Sequence, residues 1–278
     1  MKKLIELKKS HVICFCIVVL LLNKVLSKVP IEILDFFKLS NRSTNSGYLI
    51  LECIVLIAAV LIIYIIGQTH ILKPTLKSFR ASIWSGMVFL VLAITGCILF
   101  VSEGSKMGAV YKSPFEIIAF ILFVIVVGLA EEFVYRGIIA DSIFERFGNS
   151  KAGIILSVLL SGCIFGAMHI LNVFNGQSFA EESIIQMIAT CMLGILLSAI
   201  YIRHKNIYGV AFLHATLNFM TMFMEGFWDG NTLQYQYQDV NFWESLKQSL
   251  TSQSVYIIVA IWVLRPSVVR RIVEERTK

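Results

Sequence analysis

The chain has 278 residues, of which 57% are hydrophobic and only 15% are charged, and its mean hydropathy is +0.79. A soluble fold of this length could not hide so much apolar surface, which excludes an ordinary soluble enzyme, a disordered chain and a disulfide-rich secreted scaffold. The formal net charge of +6 is typical of the Lys and Arg excess on the cytoplasmic side of membrane proteins, and we expect no nucleic-acid partner.

Long, continuous apolar runs predict helices that cross a bilayer, because alternating segments of about ten residues would be needed for a membrane barrel. The fold class that we expect is all-α, a polytopic transmembrane helical bundle with about eight spans. In chain order, the predicted spans are 11–27, 48–67, 82–102, 115–139, 152–172, 184–203, 207–225 and 253–268.

The distribution of basic residues predicts the orientation of these spans. With the N-terminus inside, 16 Lys and Arg residues lie in inner segments and 7 in outer loops. This bias places both termini in the cytoplasm and makes the bilayer, most simply a bacterial plasma membrane, the first partner of the chain. The longest loop, about 226–252, is aromatic and is expected at the outer interface.

Polar residues inside apolar runs carry the functional information, since a charge near the bilayer centre costs about 2.5–3.5 kcal/mol on insertion scales. The first such cluster is in the fourth predicted helix. Glu132 and Arg136 are four residues apart and can pair on one helix face. Glu131 then points to a different face, where we expect it to meet a cavity; the alternative is a helix that simply ends at the cytoplasmic interface.

Two further clusters lie on two other helices. The fifth predicted helix carries Phe165 and His169, together with a GxxxG pair, Gly162 and Gly166, that permits close helix approach. The seventh carries His214 and Asn218 on one face. The alternative for each cluster is a histidine satisfied by interfacial or interhelical hydrogen bonds.

The depths of the two histidines do not match at first sight. Counted from the inner helix ends, His169 lies about 25 Å along its helix and His214 only about 10 Å along its own. They can meet only if the fifth helix starts late, is strongly tilted or is broken, or if the predicted boundaries are wrong.

Carboxylate, imidazole and amide groups in one apolar cavity suit amide hydrolysis. A carboxylate can take a proton from the attacking water, and an amide or imidazole can donate to the oxyanion that develops. Two histidines and one glutamate could also bind Zn²⁺, although the zinc-binding motif HExxH is not found in the sequence. The GxSxG motif of a nucleophilic serine is not found either.

The three motifs, Glu131-Glu132-x-x-x-Arg136, Phe165-x-x-x-His169 and His214-x-x-x-Asn218, resemble those of the CPBP family of CAAX-protease and bacteriocin-processing intramembrane proteases, also called Abi. The resemblance covers roughly 115–225. It divides the chain into N-terminal transmembrane helices (1–110), a CPBP-like core of four catalytic helices (111–225), and an outer loop, last span and basic tail (226–278).

The resemblance implies an intramembrane endopeptidase that cleaves hydrophobic, lipidated or membrane-anchored peptides. By carry-over, Glu131 activates water, Glu132 assists or orients, and Arg136 holds the acidic pair. His169 and His214 position water or metal, with Asn218 stabilising the oxyanion. A Zn²⁺ ion would lie at Glu131, His169 and His214, with a metal-free glutamate mechanism as the open alternative.

Two other functions remain open at this level. A proton-coupled transporter could use the same buried carboxylates and imidazoles as a relay. A non-catalytic bacteriocin-immunity or scaffold protein could keep the helices without proteolysis.

Overall fold

The computed structural model describes residues 2–37, 44–171, 180–229 and 241–277. Within these parts the chain is helical, and the only β-type pairing in them is an isolated bridge between Tyr111 and Trp228. The predicted all-α, polytopic helical bundle is confirmed. In chain order, the helices are α1 (Lys2–Ser10), α2 (Val12–Phe36), α3 (Asn45–Ile66), a 3₁₀ turn (Thr69–Leu72), α4 (Leu76–Ser85), α5 (Met87–Met107), α6 (Pro114–Glu132), a π segment (Phe133–Ala140), α7 (Asp141–Phe147), α8 (Lys151–Met168), α9 (Ala180–His204), α10 (Ile207–Thr221), α11 (Phe223–Phe227), α12 (Phe242–Val263) and α13 (Pro266–Thr277).

Six stretches of the described chain are long and apolar enough to cross a membrane, rather than the eight predicted. These are α2, α3, α5, the continuous stretch Pro114–Phe147, α8 and α9. The seventh predicted span is α10, whose 15 residues reach only about 22 Å and fall short of a hydrocarbon core of about 30 Å. The eighth corresponds to α12, which begins at residue 242 with a polar first half instead of at 253.

Helix starts follow the sequence closely because polar residues satisfy the first backbone N–H groups. The side chains of Thr44, Thr75, Ser150 and Asn206 each accept a hydrogen bond from the backbone N–H three residues further on. Helix ends are less regular. The first predicted span, 11–27, continues as α2 through Lys24, Lys28 and Pro30 to Phe36. Of the predicted outer loop, residues 230–240 lie outside the described parts.

The bundle core is held by close contact between α8 and α9. A Cβ atom added to Gly166 would lie 2.6 Å from the Met187 carbonyl oxygen, and one added to Gly162 would lie 2.6 Å from the Ile195 backbone nitrogen. Only glycine fits at these positions, so the predicted GxxxG contact is confirmed. It brings the end of α8, with Phe165 and His169, against the centre of the bundle.

The depth mismatch between His169 and His214 is resolved by the turn between α9 and α10. This turn does not reach the end of the bundle where α7 turns into α8, because Lys205 Nζ lies 2.7 Å from Asp141 Oδ1. Asp141 is six residues before the end of α7, about 9 Å along the helix. α10 therefore begins inside the bundle, and seven residues bring His214 to the same level as Glu131.

Asp141 ties together three elements at this end of the bundle. It is 3% exposed, and its carboxylate accepts hydrogen bonds from Tyr201 (3.3 Å) and Lys205 (2.7 Å) and pairs with His70 Nε2 (3.3 Å). His70 comes from the 3₁₀ turn after α3. The hydrogen bond to Asp141 raises the pKa of His70 above its ordinary value, and nearby Glu145 acts in the same direction.

This pair predicts a pH-dependent stability. Because the pKa of His70 is higher in the folded chain, its contribution is complete below the ordinary histidine pKa of about 6.5 and is lost as the pH rises through the raised value. We expect the thermal midpoint of wild type in detergent to fall from pH 5.5 to 9 more than that of His70→Gln. His11→Gln is the matched control, since His11 has no acidic partner in the described parts. Parallel pH profiles for wild type and His70→Gln would contradict the prediction.

Candidate active site

Glu132 lies at the centre of a buried polar network. The carboxylate is fully buried, and its Oε1 atom accepts hydrogen bonds from Arg136 Nη1 at 2.6 Å and from His214 Nδ1 at 2.8 Å. The predicted Glu132–Arg136 pair is therefore present in the structure. It is joined by a histidine from a helix 82 residues further along the chain.

Arg136, from the π segment, is also fully buried and is held on three sides. Besides Glu132, its guanidinium donates to the Gly194 carbonyl at 3.4 Å and lies over the Phe165 ring, 4.4 Å from the centroid. A desolvated cation above an aromatic face gains favourable electrostatic energy that water would otherwise weaken. Arg136 thus fixes α6, α8 and α9 relative to one another.

The network determines which nitrogen of His214 carries its proton. The Glu132 carboxylate only accepts hydrogen bonds, so the contact to Nδ1 places the proton there. The opposite nitrogen, Nε2, lies 3.5 Å from Glu131 Oε2. When the His214 imidazole is neutral, its unprotonated Nε2 therefore faces Glu131.

His169 is oriented in the same way by its own helix. Its Nδ1 lies 3.1 Å from the Phe165 carbonyl oxygen, which can only accept, so Nε2 is again left free. The Phe165 ring packs against both imidazoles in T-shaped contacts, with its centroid 5.1 Å from that of His169 and 5.7 Å from that of His214. One aromatic side chain therefore contacts both motif histidines.

Glu131 and Asn218 are the two motif residues whose side chains make no hydrogen bond within the described parts of the chain. The Glu131 side chain is 32% exposed, in contrast to its buried neighbour Glu132. Asn218 lies one turn after His214 on α10 and is partly exposed. Both are therefore available to a substrate or to water.

These residues face a common cavity of about 390 Å³. Glu131, Phe165, His169, His214 and Asn218 all line it. The five side chains come from three helices, as the motifs predicted. Other polar lining residues are Glu52, Gln186, Thr190, Thr221 and Gln253.

Glu52 is the ionisable lining residue that the motif analysis missed. It is a carboxylate within the apolar run of α3, and no hydrogen bond or ion pair is made by its side chain in the described parts of the chain. A lone acidic residue in a predicted span is the signal that would have found it.

The cavity is closed at one end and open at the other. Its closed end is formed by Phe165, His214 and Leu217, all under 9% exposed. Its open end carries the exposed Gln186 and Thr221. The open end lies on the side of the bundle where Asn45 bonds to the Gly226 carbonyl, away from the Asp141 cluster.

The ligand set that could hold a metal is only partly assembled. Glu131 and His214 stand at a distance compatible with two ligands of one ion, and Glu132 supplies the carboxylate that commonly orients a metal-bound histidine. Ligand atoms of Glu131, His169 and His214 do not all lie within 4.8 Å of one another, however. As it stands, this set of three side chains does not fit a single ion.

One other group of ligand-type side chains does cluster in the described residues: His70, Asp141 and Glu145. Lys205 pairs with Asp141 and Lys8 pairs with Glu145, so both carboxylates are already neutralised. This cluster serves the stability of the bundle.

The buried network predicts a large stability effect at Arg136. Arg136→Ala leaves the Glu132 carboxylate buried without its cation, which we expect to cost about 3–5 kcal/mol. The double variant Glu132→Gln with Arg136→Met removes both charges and should lose less stability than Arg136→Ala alone. Thermal unfolding in detergent measures both, and Arg80→Ala, on the exposed face of α4, is the control. A double variant less stable than Arg136→Ala would contradict this reading.

A comparison with known families covers the helices that carry these residues. Residues 113–220 match the family model described as type II CAAX prenyl endopeptidase Rce1-like. The matched segment contains all three motifs, so the CPBP resemblance is confirmed over this part of the chain. The family is one of membrane peptide hydrolases. No curated protein and no solved structure matches the chain.

Proposed function

We propose that this protein is an intramembrane endopeptidase that hydrolyses a peptide bond of a hydrophobic, lipidated or membrane-anchored substrate. One observation carries the proposal. Two adjacent glutamates are divided between two environments: Glu132 is fully buried and bonded to Arg136 and His214, whereas Glu131 is partly exposed and faces His214 Nε2 in a cavity. A structural ion pair alone would not need the second carboxylate.

The geometry supports a water molecule activated by Glu131. Two acceptors 3.5 Å apart, Glu131 Oε2 and His214 Nε2, can each take one hydrogen of the same water. As the water oxygen bonds to the substrate carbonyl carbon, one proton passes to Glu131. Glu132 keeps His214 in the tautomer that this step requires, and His169 Nε2 is a further acceptor at the cavity wall.

Collapse of the tetrahedral intermediate completes the reaction. The Asn218 amide, which is free in the described structure, donates to the carbonyl oxygen as negative charge develops on it. The C–N bond then breaks, and the proton held by Glu131 passes to the leaving amine. The balance is one water consumed and one carboxylic acid and one amine formed.

The side of the membrane from which a substrate enters follows from two features: the position of the open end of the cavity, and the excess of Lys and Arg in the inner segments. If the 16 inner Lys and Arg residues face the cytoplasm, both termini lie there and the open end faces the opposite side of the membrane. This favours membrane-anchored or exported hydrophobic peptides as substrates in a bacterial plasma membrane.

The central test is cleavage of a quenched hydrophobic peptide library by the purified protein in detergent. We expect Glu131→Gln to lower kcat/KM by about 10²–10⁴-fold, the range for loss of a general base, without change in the thermal midpoint. Glu103→Gln, at the exposed end of α5, is the matched control. Parallel assays with and without a chelator decide whether an ion takes part. Equal cleavage by wild type and Glu131→Gln would contradict the proposed site, whereas transport of a solute without cleavage would favour the relay function.

A second test separates the oxyanion donor from the base. Asn218→Ala removes a hydrogen bond made mainly in the transition state, so we expect kcat to fall by about 10²–10³-fold with little change in KM. Thr216→Ala, two residues earlier and bonded to its own helix at Phe212, is the control. An effect of Asn218→Ala on KM alone would assign it to substrate binding instead.

A further inference from the structure

A second cavity of about 250 Å³ meets the first at the catalytic residues. Glu131 and His169 line both cavities. The other walls of the second cavity come from Tyr135, from the end of α8, and from α2, which contributes Leu20, Asn23, Lys24 and Ser27. The α2 side chains that line it are largely polar, although they lie well inside that helix.

Lys24 is a charge that the stability of the bundle does not explain. It lies in the middle of the 25-residue helix α2, and no acidic group within the described chain pairs with it. Both Lys24 and Lys28 are exposed, but Lys28, one turn further on, pairs with Glu32 at 3.3 Å, whereas Lys24 lines the cavity. An ionisable residue inside a span that lines a cavity is by default a candidate for function.

Asn23, the neighbour of Lys24, adds a second observation of the same kind. Its Oδ1 atom is buried and accepts no hydrogen bond from the described residues. Ser27 does not satisfy it, because the Ser27 hydroxyl donates to the Asn23 backbone carbonyl at 2.8 Å. A buried acceptor without a donor is unfavourable, and a bound N–H donor would offset that cost.

We propose that the second cavity is a substrate subsite in which Lys24 binds a carboxylate of the peptide and Asn23 accepts a backbone N–H of the same segment. The inference rests on the proposed function. Because Glu131 and His169 stand where the cavities meet, the scissile bond lies there, with one part of the substrate in each cavity. The carboxylate is either the C-terminal one or an acidic side chain, and both fit an ammonium group.

Binding and cleavage are measured separately on the full-length protein in detergent. Three fluorescent peptides share one hydrophobic sequence: one with a free C-terminal carboxylate, one amidated, and one amidated with an added aspartate. Anisotropy gives Kd, and the quenched forms give kcat and KM. The variants are Lys24→Gln and Lys24→Arg, with Lys28→Gln as the matched control on the same helix.

We expect wild type to bind at least one carboxylate-bearing peptide about tenfold or more tightly than the neutral amide, in line with a charge-assisted hydrogen bond. Lys24→Gln should abolish this preference while leaving the affinity for the neutral peptide unchanged. Lys24→Arg and Lys28→Gln should retain it. Comparison of the two carboxylate-bearing peptides identifies the source of the charge.

Three outcomes would overturn the subsite. Wild type could bind charged and neutral peptides equally, Lys24→Gln could keep the preference for carboxylate-bearing peptides, or Lys24→Gln could lose the same affinity for neutral and charged peptides. The last would indicate a structural role for Lys24. Failure of the proposed function would look different, because peptides would then bind with the expected preference and remain uncleaved by wild type.

Discussion

The Arg136 guanidinium is a full positive charge with no access to water, and the arrangement of the surrounding helices follows from neutralising it. Glu132 supplies the counter-charge from one turn earlier, the Gly194 carbonyl accepts a hydrogen bond from α9, and the Phe165 ring of α8 covers one face. Burial of an ion pair is weak evidence for stability, because desolvation opposes the attraction between the charges. Its more important effect here is geometric, since three helices must meet Arg136 at fixed positions.

The same network also orients the side chains that are proposed to react, because Glu132 contacts His214 as well as Arg136. Glu132 is shared between Arg136 and His214, so the residue that neutralises the cation also sets the tautomer of the imidazole. Phe165 also makes two contacts, because its ring covers Arg136 and its backbone carbonyl accepts a hydrogen bond from His169 Nδ1. Glu131, like Asn218, makes no side-chain hydrogen bond in the described parts of the chain. A reactive carboxylate next to a rigid one is what general-base chemistry in a low-dielectric site requires.

Sequence reasoning was most successful where local chemistry decides the outcome. The i,i+4 spacing predicted the Glu132–Arg136 pair, and the small residues of α8 predicted a close helix contact, which the structure shows to be with α9. It failed where depth in the bundle matters, because hydropathy measures length and not position. The turn before α10 is held within the bundle by Lys205 and Asp141, a contact 64 residues apart that no local pattern contains.

The length of α2 was missed for a related reason. Lys24 and Lys28 resemble the polar flank of a short span, and only the tertiary structure shows that the helix continues through them. Glu52 was likewise visible as a charge in an apolar run, but its meaning depends on the cavity that it lines. Such residues are found by asking which charges a span contains, before any motif is sought.

The π segment fixes the number of residues between two buried clusters. Arg136 must meet Glu132 at its start, and Asp141, which follows it directly, must meet Lys205. Deleting one residue between them would rotate Asp141 about the helix axis and shift it along that axis relative to Glu132. Both clusters could not then keep their partners at once. The two ion pairs therefore fix the number of residues between Glu132 and Asp141. Natural variation in chain length should occur outside this stretch.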